Sequence, residues 1–192
     1  DLLTMNDPSV LLFEQALCEY TGAPFAIAMK RCCIDLKGCC EFLGVKHVRI
    51  PRYTYEFVPA TLVRSGILVD FDDLNWRGGY QLWPSPIYDY ARRFRPGMYF
   101  KGGYHCLSFH RSKILGHTEG GAVLTDDLHA RDWLRVWRDD GRNRVGAAVD
   151  PMIGESGLMY PDIAVNLRLK LHWLKQYYPE GHPDLPNSDY RD

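Results

Sequence analysis

The chain of 192 residues is long enough for one domain with a sizeable hydrophobic core, and it is short for two domains. Its formal net charge of −1 excludes the electrostatic signature of a protein that binds nucleic acid or an acidic membrane surface. No apolar run is long enough to span a bilayer, and no basic segment followed by an apolar one stands at the N-terminus, so we expect a cytoplasmic location.

The first seventy residues alternate between helical and extended patterns. Asp7 and Pro8 are a helix start, with the aspartate as the cap and proline at the first helical position, and the apolar repeat that follows ends at Gly22. A strand is then predicted over 24–29, a helix after the turn at 30–33 to Gly44, a strand over 47–50, a helix from Thr54 to Gly66 that Pro59 bends or delays, and a strand over 67–70. This alternation predicts a mostly parallel sheet covered by helices.

The second half has a less regular pattern. A long connection over 71–86 leads into a brief strand at 87–88, and further strands are predicted over 105–109 and 121–125. Asp126 or Asp127 is expected to cap a helix with Ala130, Trp133, Leu134 and Trp137 on its inner face. A last helix from about Pro161 would bury Ile163, Leu167, Leu171, Leu174 and Tyr178. We therefore predict one domain over residues 1–178 and an extended C-terminal tail over 179–192.

The six cysteines contain no Cys-x-x-Cys spacing, which a zinc knuckle would need. Cys33 and Cys40 lie two turns apart on the predicted second helix. We therefore expect reduced thiols that pack as small apolar groups, with metal or redox use as the alternative.

A polar stretch with one lysine separates the strands at 105–109 and 121–125. It contains the run Ser-Phe-His-Arg-Ser-Lys over 108–113, and Glu-Gly-Gly follows at 119–121. This run resembles the DegT/StrS-type nucleotide-sugar aminotransferases, where a Ser-Phe-x-x-(Ser/Thr)-Lys motif carries the lysine that binds pyridoxal phosphate (PLP). The resemblance implies that Lys113 is the catalytic residue and forms a Schiff base with PLP. The alternative is a solvated lysine in a loop between two strands.

A carboxylate follows a neighbouring strand of the predicted sheet. Ligands of open α/β sheets lie outside the carboxyl ends of the strands, and Asp89 ends one strand while the lysine run follows another. The segment 87–92 resembles the family's apolar-Glu-Asp-x-Ala-Gln motif, with Arg92 in place of the glutamine. The resemblance implies that Asp89 binds the pyridine nitrogen of PLP, where a carboxylate keeps the ring protonated. The alternative is an aspartate that caps a turn.

An aromatic residue is expected to cover the cofactor ring. The segment Pro-Arg-Tyr-Thr-Tyr over 51–55 resembles the family's Pro-x-(aromatic or Met)-Thr-(aromatic) motif, which implies that Tyr55 stacks on the pyridine. The alternative is that Tyr55 packs in the core.

The phosphate of the cofactor is expected at the N-terminus of the second helix, where free backbone N–H groups bind anions. The family has Asn-Ser-(Gly/Cys)-Thr-x-Ala-Leu here, and this chain has Lys30, Arg31, Cys32 and Cys33 in the first four positions. The two cations either bind the phosphate through charge-assisted hydrogen bonds or fill its space. The family pattern implies that Ser108 binds the phosphate from the other side.

Two further features complete the prediction. Residues 154–164 loosely resemble the family's closing segment, which places Ser156 or its surroundings near the neighbouring subunit's phosphate. The histidines at 105, 110 and 117 are candidates for a metal or base cluster, although packing of His110 beside the cofactor is preferred and no metal is expected.

The resemblance implies a compact version of the large domain of these enzymes, without their small C-terminal domain. We therefore expect a three-layer α/β/α sandwich that uses PLP, binds an amino donor and a nucleotide-linked keto-sugar, and forms a homodimer. A catalytically inactive protein that keeps the fold as a binding or assembly module is the main alternative. A third hypothesis keeps PLP but catalyses a dehydration or an epimerisation.

Overall fold

The structure, a computed structural model, describes residues 7–144, 146–187 and 190. Within these residues the helices are α1 (Pro8–Thr21), α2 (Cys32–Phe42), α3 (Phe57–Arg64), α4 (Leu128–Trp137) and α5 (Pro161–Tyr177). The strands are β1 (Phe25–Met29), β2 (His47–Pro51), β3 (Leu68–Asp72), β4 (Tyr80–Gln81), β5 (Ile87–Asp89), β6 (Tyr104–Ser108) and β7 (Gly121–Thr125).

The strands form a five-stranded sheet in the order β1-β7-β6-β5-β4 and a two-stranded sheet of β2 and β3. Backbone hydrogen bonds between Arg49 and Trp83 connect the two sheets. The pairs β2–β3 and β5–β6 are parallel, whereas β1–β7, β6–β7 and β4–β5 are antiparallel. The prediction of a mostly parallel sheet is therefore wrong. The β4–β5 and β6–β7 connections contain no crossover helix, and strands joined by such direct turns pair antiparallel.

The predicted three-layer α/β architecture is confirmed by the two cores on opposite faces of the sheet. Along β1, Ile27 and Met29 face the core built with α2, α3 and α4, while Ala26 and Ala28 face the core built with α1 and α5. This alternation follows from the opposite directions of successive side chains in a strand. The small alanines let α1 pack closely against β1, on the sheet face that α1 and α5 cover.

The local signals at the first and fourth helices are confirmed. Asp7 Oδ1 accepts a hydrogen bond from Ser9 N at 2.8 Å, and α1 ends at Gly22, whose φ of +79° suits glycine. Asp127 caps α4 by accepting from Ala130 N at 3.1 Å. These short-range rules succeed because the groups that satisfy them are neighbours in sequence.

Other helix details differ from the predictions. Helix α3 begins at Phe57, not at Thr54, because Pro59 lacks an N–H group and is tolerated in the first turn of a helix. Tyr178 follows the end of α5 and is 42% exposed, so it is not part of the buried stripe. The connection over 71–86 contains the short strand β4.

The chain after α5 returns to the domain. Leu185 N donates to Arg92 O at 2.9 Å, and Gly78 N donates to Leu185 O at 3.0 Å. The predicted boundary at residue 178 and the extended tail over 179–192 stay predictions, and residues 1–6, 145, 188, 189, 191 and 192 lie outside the described residues. None of the helices in the described ranges has the length and apolar character needed to cross a membrane.

Candidate active site

One cavity of about 690 Å³ lies at the carboxyl ends of β5 and β6. The start of α2 and the segment before α3 form two of its walls, and the loop between β6 and β7 forms a third. All eight side chains predicted for the site line this cavity, namely Arg31, Cys32, Cys33, Tyr55, Asp89, Arg92, Ser108 and Lys113. The fold thus brings together residues from four separate segments, in a volume typical of small-molecule sites.

Lys113 lies in the hairpin loop between β6 and β7. Its backbone N–H donates to His110 O at 2.8 Å, and its Nζ donates to the hydroxyl of Tyr190 at 3.0 Å. The side chain is partly buried and lines the cavity. The amine therefore points into an enclosed site, which distinguishes it from the solvated loop lysine of the alternative reading.

Asp89 ends β5 on the side of the sheet that carries α2, and it is 5% exposed. Its Oδ1 accepts from Ala91 N at 3.0 Å, and its Oδ2 accepts from the hydroxyl of Tyr80 at 2.9 Å. Burial raises the pKa of Asp89, while the hydrogen bonds from Ala91 and Tyr80 and the charges of Lys113 and Arg92 oppose that rise. The carboxylate is thus held at the base of the cavity.

Tyr80 and Thr54 belong to this arrangement, although the sequence analysis did not identify them as site residues. The two hydroxyl groups lie 2.6 Å apart, so Tyr80 connects Thr54 to Asp89. Tyr80 is in the short strand β4, which pairs with the strand of Asp89 through the register Tyr80–Asp89. The β4–β5 hairpin, which the sequence did not reveal, places this tyrosine beside the carboxylate.

Arg92 is 4% exposed and lines the cavity. Its backbone N–H donates to Gly78 O at 3.1 Å, and its Nε donates to the hydroxyl of Tyr190 at 3.3 Å. The guanidinium carbon is 4.7 Å from the centre of the Tyr190 ring. A cation therefore stands where the family has an amide, and it acts electrostatically on Asp89.

Tyr55 lies at the rim of the cavity and is 46% exposed. It is not a core residue, so the alternative proposed for it is wrong. Its ring centre is 5.5 Å from that of Phe57 and 6.4 Å from that of Tyr190. Trp76 is the more deeply buried aromatic residue of the cavity, and it was missed because it lies in the irregular connection over 71–86.

The predicted phosphate turn begins α2 as expected. The backbone N–H groups of Ile34 and Asp35 both donate to Arg31 O, at 2.9 and 3.1 Å. Arg31 lines the cavity, and its Nε is 3.5 Å from Oε2 of Glu119. The Nζ of Lys30 instead lies 5.5 Å from the centre of the Tyr160 ring. One of the two cations therefore faces the site.

The two thiols of this turn remain protonated. Burial raises the pKa of Cys32 well above its usual range and that of Cys33 to about 12, with Asp89 adding to both shifts. Cys33 stands at the threonine position of the family pattern, and because a neutral thiol is a weak hydrogen-bond donor it replaces that hydroxyl only in part. All six cysteines of the chain are free.

The absence of a side chain at Gly121, which follows the lysine loop, lets the turn at the start of α2 approach the sheet. A Cβ atom on Gly121 would lie 2.6 Å from Cys32 N and would collide with the carboxyl group of Asp35. Asp35 is fully buried, and neither carboxyl oxygen has a hydrogen-bond partner. Burial raises its pKa well above the usual range, with Cys39 and Asp89 adding to the shift and Arg138 opposing it. Burial thus favours the neutral form of the Asp35 carboxyl beneath the turn.

The donor set of the cavity fits PLP at both ends of that molecule. A primary amine and a buried carboxylate are present for the aldehyde and the pyridine nitrogen. Arg31, Ser108 and the N-terminus of α2 supply positive charge and polar donors for the phosphate. Arg31 and the thiols thus stand in for the hydroxyl-rich turn of the family pattern.

The three histidines near the lysine do not form a cluster. His105 is fully buried among aromatic rings, and burial lowers its pKa to about 4. His110 lines the cavity and pairs through its backbone with His117. The described ranges contain no group of three side chains arranged to hold a metal ion. Ser156 forms a backbone bridge with Asp139, and its predicted proximity to a second subunit stays a prediction.

Comparison with known proteins gives a sequence match and a fold. Residues 100–172 match the sequence model of the DegT/DnrJ/EryC1/StrS aminotransferase family. No curated protein matches the chain. A solved DegT DnrJ EryC1 StrS aminotransferase from Brucella abortus is similar, with 20% identity and a TM-score of 0.76, over 90% of this chain and 60% of that one.

Two further solved structures are similar over 90% of this chain. DesI, determined in the presence of its TDP-sugar product, has 21% identity and a TM-score of 0.69, and 54% of its length is covered. The sugar aminotransferase CalS13 from Micromonospora echinospora has 16% identity and a TM-score of 0.67, and 63% of its length is covered. The chain therefore spans between half and two thirds of the length of these proteins.

At 16–21% identity the similarity to solved structures establishes only the fold. The family model adds a match in sequence, which covers the lysine loop, β7, α4 and most of α5. The resemblance predicted from the sequence is therefore confirmed: the chain matches the DegT/DnrJ/EryC1/StrS aminotransferase family in sequence over residues 100–172 and shares, over nine-tenths of its length, the α/β fold of a solved aminotransferase of that family from Brucella abortus.

Proposed function

We propose that the chain is a PLP-dependent aminotransferase that transfers an amino group to a keto-sugar, which is attached to a nucleotide. The observation that carries the proposal is the meeting of Lys113 and Asp89 in one cavity, with Arg31 and Ser108 on its walls. The family that the lysine loop matches is PLP-dependent. The TDP-sugar in the DesI structure supports a nucleotide-sugar substrate.

Each residue has a role in this proposal. Lys113 would hold the aldehyde of PLP through its Nζ, and Asp89 would bind the pyridine nitrogen. When bound, PLP supplies the electron sink that lets an amino group pass between a donor and a keto acceptor. Once the amino donor had taken its place on the aldehyde, the freed Lys113 amine would carry a proton to and from the substrate carbon as a general base. Tyr55 at the rim would cover the ring.

The electrostatics of the cavity support these roles. Asp89 is buried but keeps two hydrogen bonds that favour its charged form, which a pyridinium partner needs. Arg31 at the N-terminus of α2 supplies a charge-assisted contact for phosphate. The homodimer and the cytoplasmic location expected from the sequence remain predictions of this proposal.

Spectroscopic titration with PLP tests the proposal. The native chain should develop a visible absorption band that borohydride removes, and mass spectrometry should then locate the reduced adduct on Lys113. Lys113→Ala should lose the band completely. Lys101→Ala, which changes an exposed lysine outside the cavity, should keep it.

A catalytic assay completes the test. With an amino donor such as glutamate and a nucleotide-linked keto-sugar, the native chain should form the amino-sugar, and Asp89→Asn should reduce the rate by about 10²-fold or more. A protein that stays colourless at saturating PLP would contradict the proposal and favour the inactive binding module. A coloured protein that yields a dehydrated or epimerised sugar would favour the third hypothesis.

A further inference from the structure

The chain after α5 docks beside the cavity through a set of specific contacts. Asp184 Oδ2 accepts from Nε and Nη2 of Arg93 at 2.9 and 2.7 Å. Leu185 forms backbone hydrogen bonds to Gly78 and Arg92. A Cβ atom on Gly78, which has a φ of +77°, would lie 2.5 Å from the Asp184 carboxylate. The absence of a side chain at residue 78 thus allows this close approach.

This docking coincides with the insertion of Tyr190 into the cavity. The ring of Tyr190 stacks on Trp76 with an interplanar angle of 24° and a centroid distance of 6.1 Å. Its hydroxyl oxygen accepts hydrogen bonds from Lys113 Nζ at 3.0 Å and from Arg92 Nε at 3.3 Å. The tail therefore places a planar ring against Trp76 and a hydroxyl oxygen against Lys113 and Arg92, and Lys113 is the group that a carbonyl ligand would bond to.

A planar ligand that bonds to Lys113 Nζ would meet the ring of Tyr190, whose centre lies 5.7 Å from that amine. We propose that Asp184, Leu185 and Tyr190 form an intramolecular cover, here called the tail cover, which must leave the cavity before an aldehyde or keto ligand reaches Lys113. Binding is then weakened in proportion to the fraction of molecules with an open cavity. The identity of the ligand rests on the proposed function, whereas the covering of Lys113 does not.

The first experiment measures access to the amine without using PLP. The full chain is treated with formaldehyde and cyanoborohydride, and the methylation rate of each lysine is measured by peptide mass spectrometry. Asp184→Asn, which weakens the ion pair to Arg93, and Tyr190→Ala should each raise the Lys113 rate about tenfold. Lys46, an exposed lysine outside the cavity, is the internal reference and should keep its rate.

Tyr190→Phe separates the ring from the hydroxyl. It keeps the ring between Trp76 and Lys113, so its Lys113 rate should stay within about twofold of the native rate. Circular dichroism should show the same fold in all variants, because the changed residues follow α5. An unchanged or slower Lys113 rate in Tyr190→Ala would overturn the tail cover.

A second experiment tests mutual exclusion. The amide of Leu185 donates to Arg92 O, so its hydrogen exchange reports on docking of the tail. Addition of PLP should accelerate this exchange in the native chain and leave it unchanged in Lys113→Ala. Binding of PLP to Lys113 with no change at Leu185 would contradict the cover. If no variant binds PLP while Tyr190→Ala still exposes Lys113, the proposed function fails and the tail cover stands.

Discussion

Asp89 shows how one buried side chain combines opposing electrostatic effects. Burial favours its neutral form, and two hydrogen bonds and two cations favour its charged form. One of the two hydrogen bonds comes from the hydroxyl of Tyr80, in the two-residue strand β4 that the sequence did not predict. The pKa of Tyr80 is itself raised, because the hydroxyl is buried beside the Asp89 carboxylate. The ionisation of Asp89 therefore depends on a residue outside the motif that identified it.

Tyr80→Phe should raise the pKa of Asp89 further, because the charged carboxylate loses a hydrogen-bond donor. The pKa is measured from the pH dependence of the ¹³C shift of the Asp89 carboxyl carbon. The same substitution should lower the free energy of unfolding by about 1 kcal/mol. Tyr88→Phe is the matched control, since residue 88 points to the other face of β5 and should leave the Asp89 pKa unchanged.

If the Asp89 pKa were equal in the native chain and in Tyr80→Phe, the hydrogen bond at 2.9 Å would have no role in its ionisation.

At the scale of elements, a buried ion network joins α1, β1 and α4. Glu14 Oε1 accepts from Arg138 Nη1 at 2.6 Å and from Ala28 N at 2.9 Å, and its Oε2 accepts from Arg135 Nη2 at 2.7 Å. Glu14 and Arg138 are 3% and 1% exposed. The three elements are thus held together by one carboxylate on the face of the helix that meets the sheet.

Glu14→Gln should lower the free energy of unfolding by about 3–5 kcal/mol, because it leaves the buried Arg138 guanidinium without its counter-charge. Chemical denaturation measures this loss. Glu19→Gln removes a carboxylate from an exposed position of the same helix and should change stability by no more than about 0.5 kcal/mol. Equal effects of the two substitutions would show that the network contributes nothing specific.

The elements also show what the sequence could predict. The caps at Asp7 and Asp127 and the helix end at Gly22 depend on neighbours in sequence, and they were predicted correctly. Tyr80 and Tyr190 approach Asp89 and Lys113 only through strand pairing and through the return of the tail. No periodicity or motif carries that information, so these residues were missed.

At the scale of the whole molecule, the buried Asp35 makes stability depend on pH. Its folded-state pKa is raised, whereas the unfolded chain titrates near the ordinary value of about 3.9. Above that value the unfolded chain loses a proton that the folded chain keeps, so stability falls as the pH rises toward the folded-state pKa. Besides burial, Cys39 and Asp89 raise the pKa of Asp35, and Arg138 and the backbone of Ala122 lower it.

Asp35→Ala should therefore stabilise the protein at pH 8 by about 1–3 kcal/mol, since it removes a buried carboxyl that lacks hydrogen-bond partners. The gain should shrink as the pH falls toward 4, because the unfolded chain then regains its proton. Thermal or urea unfolding across this pH range measures the effect. Asp150→Ala, at an exposed loop position, is the control and should show no pH-dependent gain in stability. A gain from Asp35→Ala that stays the same between pH 8 and pH 4 would show that Asp35 is charged in the folded state and would contradict the prediction.

The architecture as a whole was accessible from the sequence because its helices and strands have clear periodic patterns. The lysine loop gave the family, and the family gave the positions of Asp89, Tyr55 and the α2 turn in one cavity. The direction of strand pairing could not be predicted from the sequence. A strand as short as Tyr80–Gln81 has no periodic pattern, so it was not located. Without both strands, a direct connection cannot be distinguished from a crossover, and the type of connection decides whether the strands pair parallel or antiparallel.

The two sheets are joined beside the site by backbone hydrogen bonds and by side-chain packing. Within the described part of the chain, two backbone hydrogen bonds between Arg49 and Trp83 connect them, at 2.7 and 3.1 Å. Tyr55 follows β2 of the smaller sheet, whereas Asp89 ends β5 of the larger sheet and Lys113 lies in the loop between its strands β6 and β7. Val48 and Ile50 of β2 also pack in one core with Leu82 and Ile87, and the hydroxyl groups of Thr54 and Tyr80 lie 2.6 Å apart. Side-chain packing therefore holds the aromatic rim over the floor of the site together with the backbone hydrogen bonds, so the mouth could widen only if both were disrupted.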